Sequence, residues 1–231
     1  MVLQEVEVEV VQVHKNLLEI IKILCLKISH NGSNENATEK KDKKKFELKE
    51  NGVLTNTEDI NWDIVKSEIE TLYASIPTIT IDLYQLNLNK DDILGFNSEF
   101  DNLTKAVKDE NKEDSLAELI KVYEFLPKFL KDQDELYKIL VQTKLNVFKG
   151  YSKLDGENWE NISKDIDESI KVYSKLLTSN SIDSKKQYNI NKGYIMLNEL
   201  KNAVDKQEES VFLIKYKNLL EEINNMWYNA K

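Results

Sequence analysis

Two prolines, Pro77 and Pro127, and six glycines are the only strong chain breakers in 231 residues. Residues 128–231 contain no proline at all. A sandwich or barrel needs a turn roughly every 8–12 residues, and those turns draw on Gly and Pro. So few breakers favour long helices joined by short polar turns. The expected fold class is therefore all-α, either an antiparallel helical bundle or a short stack of α-hairpins resembling tetratricopeptide pairs.

Apolar spacing from about residue 59 agrees with this. Trp62, Val65, Ile69, Leu72 and Tyr73 recur at three and four, the period of a one-sided helix. Asp59 or Asn61 can cap its start. Pro77 is expected to end it, because the residue before a proline is pushed out of the helical region. The β-branched alternation over residues 78–84 then reads as an extended segment lying over the bundle.

Asp91 or Asp92 is expected to start the second helix, with Ile93, Phe96, Phe100, Leu103 and Val107 on its apolar face. A short turn at residues 109–112 leads to a third helix ending at Pro127 or just past it. A fourth is expected over about 134–154, a fifth from Trp159, a sixth over about 186–205 and a seventh over about 208–228.

The pattern recurs at an offset of 97. Asn61-Trp62 returns as Asn158-Trp159, Val65 as Ile162 and Ile69 as Ile166. Without a gap Phe100 pairs with Leu197, Leu103 with Leu200, Val107 with Val204 and Leu116 with Leu213. A duplication follows as an expectation. Two three-helix repeats, at about 59–130 and 157–228, are joined by the helix at about 134–154. Together they make an all-helical domain over 58–231.

Ahead of it lies a linker over residues 29–57, whose part from 29 to 45 is a polar tract with almost no apolar content, including the run Lys40-Lys41-Asp42-Lys43-Lys44-Lys45. Such a tract cannot offset the entropy of ordering and reads as a disordered linker. Residues 1–28 read as an N-terminal segment, a degenerate signal or anchor. Its apolar part at 17–28 is shorter than the roughly 20 residues that span a bilayer.

Composition removes several functions. The net charge is −9 and there is no arginine, which argues against nucleic acid, whose phosphates demand a basic footprint. His14, His30 and Cys25 are the only histidines and cysteine. The helical domain therefore lacks histidine bases, Cys/His nucleophile pairs and nitrogen or sulfur metal ligands. No phosphate loop, dinucleotide fingerprint or nucleophile elbow occurs. Carboxylate pairs such as Asp91-Asp92 and Glu221-Glu222 read as solvated helix faces in a chain that carries lysines throughout. No catalytic residue, cofactor or metal site is expected, and the chain is not expected to be an enzyme.

Two features remain. Trp62 and Trp159 open equivalent helices and read as structural anchors. Residues 77–89 break the repeat, because the second copy is polar and proline-free there. A segment that breaks a repeat is a candidate contact for a partner or ligand, here through Pro77, Ile79, Ile81, Leu83 and Tyr84.

The polar tether followed by helices of the pattern Asn-Trp-x-x-(Val/Ile)-x-x-x-Ile resembles uncharacterised lipoprotein-like proteins of low-GC Gram-positive bacteria. In that group a lipobox cysteine ends the signal peptide. Here Cys25 follows Lys22-Ile23-Leu24, without the small residues a lipobox carries. The resemblance implies an extracytoplasmic or cell-surface protein tethered through its N-terminus. The expected function is a non-catalytic helical-repeat module engaging a protein or peptide. The alternative is an extracytoplasmic receptor for a small ligand or cation in the cleft between the repeats.

Overall fold

A computed structural model describes residue 60, residues 62–130, 135–179 and 184–228. The expectations for residues 1–58, including the linker, lie outside these residues, as do the capping candidates Asp59 and Asn61. Among the described residues the regular structure is all helix: α1 (Trp62–Gln85), α2 (Lys90–Lys108), α3 (Lys112–Phe129), α4 (Glu135–Tyr151), α5 (Trp159–Thr178), α6 (Ser184–Asp205) and α7 (Glu209–Tyr228).

The first correction concerns Pro77. It does not end α1 but sits inside it, on the exposed side, and residues 78–84 are helical rather than extended. The deciding force is packing. Val65, Ile69, Leu72, Ile79 and Leu83 are buried at spacings that continue straight through the proline. Burying Ile79 and Leu83, at roughly 1.5–3 kcal/mol each, offsets the hydrogen bond that proline cannot donate. Thr80 and Asn97 also hydrogen-bond across α1 and α2, with Asn97 Nδ2 donating to Thr80 Oγ1 at 3.1 Å.

The second correction is smaller. α2 is capped by Asn89, whose Oδ1 accepts from the Asp91 N–H at 2.8 Å. Asp91 and Asp92 therefore lie in the first turn, where their charge complements the helix dipole. Asn111 and Asn158 cap α3 and α5 in the same way, accepting from the Asp114 and Asn161 N–H groups. The short oxygen of Asn satisfies a backbone donor that has no partner within its own helix.

Successive helices pack on one another from α1 to α7, and α7 returns to pack on α4. Helices α4 to α7 thus close into a four-helix bundle, while α1 to α3 extend from one side of α4. Ten of the 17 residues of α4 are buried, which marks it as the shared central helix. The Tyr151 and Tyr216 rings stack at 4.8 Å where α4 meets α7. Phe96 and Phe129 meet edge-on at 5.5 Å between α2 and α3.

The 97-residue spacing reappears in the backbone. α1 and α5 start 97 residues apart, as do α3 and α7, and α2 and α6 end 97 apart. The turns after α2 and α6 make the same hydrogen bonds. The Glu110 N–H donates to the Val107 carbonyl at 3.1 Å, and the Gln207 N–H to Val204 at 2.9 Å. The Asn111 N–H donates to Ala106 at 3.2 Å, and the Glu208 N–H to Ala203 at 3.0 Å. Glu110 and Gln207 both adopt the left-handed conformation, each with φ of 57°. This is a Schellman-type termination. One difference is length: α1 has 24 residues and α5 has 20.

Candidate functional site

The helical geometry of α1 splits the expected contact segment between two faces. Ile79 and Leu83 point inward and are core residues. Pro77, Ile81 and Tyr84 point outward, with Ile81 57% and Tyr84 40% exposed. Tyr73, placed by its spacing on the apolar stripe, is instead 48% exposed. Its ring leans on Phe100 at 6.2 Å and leaves the rest to solvent. Tyr73, Pro77, Ile81 and Tyr84 are separated by four, four and three residues, so they line one outer strip of α1. The main neighbour of α1 is α2, which leaves this strip uncovered among the described residues.

Trp62 and Trp159 are both half-buried and pack against the core. Trp159 meets the Phe212 ring edge-on at 6.4 Å. The position 97 residues before Phe212 is Ser115, which is buried and whose hydroxyl has no hydrogen-bond partner there. The two indoles thus share a helix-start position but not the same aromatic neighbour. The side chains of Trp227 and Tyr228 lie outside the described set.

A second surface feature was not legible in the sequence. The turn after α2 and the turn between α4 and α5 face each other across an open cleft of about 1090 Å³. Leu116, Ala117 and Ile120 lie along it. Its charged lining is four carboxylates, Asp109, Glu110, Glu113 and Asp155, against Lys112 and Lys153. Lys112 reaches Asp155 at 2.5 Å and Lys66 reaches Glu110 at 2.6 Å. The sequence shows each turn separately, and only the packing of α3 on α4 brings them together.

The interior holds one unusual charge carrier. Lys144 on α4 is 2% exposed, and its Nζ donates to Asn224 Oδ1 on α7. Burial holds its pKa well below the ordinary lysine range. Nearby on α7, Glu222 is 8% exposed and pairs with Lys192 at 2.5 Å. Tyr173 donates to the Ile190 carbonyl at 3.0 Å, and its hydroxyl pKa is driven strongly upward by burial and then by Glu222. The residues lining the cleft do not include any of these groups.

Among the described residues no group of three or more His, Cys, Asp or Glu is placed to hold a metal ion, and no helix is long and apolar enough to cross a membrane. The chain matches no protein-family model, no curated protein and no solved structure.

Proposed function

We propose that this domain is a non-catalytic helical binding module that takes an amphipathic helix of a partner protein on the outer strip of α1. The carrying observation is the row of Tyr73, Pro77, Ile81 and Tyr84, apolar and outward-facing on a helix whose main packing is to α2 alone. Scattered exposed apolar residues are ordinary, but a row at helical spacing fits the side chains of a second helix. The absence of histidine and cysteine from the helical domain supports the non-catalytic part. The same reading places the protein outside the cytoplasmic membrane, held through its N-terminus. It also takes α1–α3 and α5–α7 as copies of one unit, a view supported by the matching turns at Glu110 and Gln207.

The test is capture from extracts of the native organism with three immobilised full-length variants. Ile81→Lys and Tyr84→Lys should each lose a protein that the wild type retains. Ile195→Lys, at a 61% exposed site on α6, should keep it. If all three variants retain the same proteins as wild type, the α1 strip is not the binding face.

A further inference from the structure

The acidic cleft lies beside the place where the N-terminal part of the chain enters the domain. Lys66, one turn into α1, is tied to Glu110 on the cleft wall at 2.6 Å. Trp62, where α1 begins, is one helical turn before Lys66, so the chain enters α1 at the end of the helix that Lys66 ties to the cleft wall. Fifteen residues upstream of Ile60 stands the densest positive charge of the sequence, Lys40, Lys41, Lys43, Lys44 and Lys45, followed by Phe46 and Leu48. We propose that this segment, residues 40–48 of the same chain, docks in the cleft between the turn after α2 and the turn between α4 and α5.

Three observations favour this occupant. The first is charge: the carboxylates lining the cleft outnumber its lysines by four to two, and among the described residues Asp109 and Glu113 make no ion pair. The second is chemistry: exposed Ala117 and half-buried Ile120 offer apolar surface suited to Phe46 and Leu48, above the buried Leu116. The third is reach. Fifteen residues extend to about 50 Å at most and average roughly 20 Å when flexible. A tether of that length keeps the segment at a millimolar effective concentration, so contacts too weak to hold a free peptide suffice here. Exposed ion pairs are individually weak and salt-sensitive, so the docked segment is releasable. The contact is separate from the outer strip of α1.

Zero-length carbodiimide coupling of lysine to carboxylate tests the contact in the full chain. A mixture of isotope-labelled and unlabelled protein distinguishes coupling within a chain from coupling between chains. The expected result is coupling of the five lysines to Asp109, Glu110, Glu113 or Asp155 within one chain, reduced at least five-fold by 1 M salt. A variant with Glu113→Gln and Asp155→Asn, checked for helicity by circular dichroism, should lower it several-fold as well. The salt titration needs no substitution and stands even if the variant fails to fold. Coupling spread evenly over carboxylates of the whole domain would overturn the proposal. Coupling found only between chains would assign the cleft to a second copy, which also overturns it.

Discussion

The hydroxyl of Tyr173 on α5 occupies the space above Gly193 on α6, where a side chain would otherwise begin. A Cβ on Gly193 would lie 2.2 Å from that oxygen and 2.9 Å from the ring carbon carrying it. The positions 97 residues before this pair are Ile76 and Phe96, with Phe96 fully buried. Glycine at 193 makes room for the Tyr173 ring, whereas 97 residues earlier the corresponding helix position carries the large side chain of Phe96. Close packing leaves no room for a side chain at 193 while the Tyr173 hydroxyl keeps its place.

Gly193→Ala should therefore destabilise the domain. Alanine gains about 1 kcal/mol of helix propensity over glycine. Displacing a buried tyrosine that is hydrogen-bonded to the Ile190 carbonyl costs more, and a net loss of about 1–3 kcal/mol is expected. Adding Tyr173→Phe should recover part of it, because the nearest clashing atom is gone. Urea unfolding of the single and double variants checks this. A Gly193→Ala midpoint at or above wild type would show that the ring moves freely.

Pro77 denies α1 one internal hydrogen bond while its own side chain is exposed. Pro77→Ala should raise stability by about 1–3 kcal/mol, a part of the full proline penalty because the helix has already adapted around the ring. The measurement is the melting temperature by calorimetry. An unchanged or lower value would mean that proline is matched to its local geometry.

Glu110 and Gln207 hold equivalent left-handed positions that glycine occupies at lower cost. Gln207→Gly should stabilise by about 0.5–1 kcal/mol. Glu110→Gly should gain less, since it also removes the partner of Lys66. Chemical denaturation of both variants reads the difference. Destabilisation by Gln207→Gly would show that its side chain makes a contact worth more than the strain.

Lys144 makes stability depend on pH. Its folded pKa is depressed by burial, so the unfolded chain binds this proton more readily than the folded one. Stability attributable to this group therefore rises with pH between the folded pKa and the unfolded value of about 10.4. Above that value both states are neutral and the dependence ends. Lys144→Met should flatten the rise in unfolding free energy over the pH interval just below the unfolded lysine value of about 10.4. Parallel wild-type and variant curves across that interval would contradict the assignment.

Seven helices, their turns and most of the core stripes were legible in the sequence because helical burial follows from local spacing. Ile93, Phe100, Leu103, Leu119, Ile162 and Leu197 are all fully or nearly fully buried where the period places them. Pro77 shows the limit. Its local preference pointed to a helix end, while Ile79 and Leu83 carried a helical period that only burial against α2 could enforce. Tyr73 shows another: spacing places it beside the stripe, but the width of the contact with α2 decides whether its ring is covered.

What the amino-acid order determined alone is the class of fold, the positions of the turns and the recurrence at 97, since these depend on neighbours three or four residues apart. What the tertiary structure decided is which face of α1 stays open, the cleft between two distant turns, and the burial of Lys144. These depend on which helices meet and at what depth, and residues far apart in the chain share such surroundings only after it has folded.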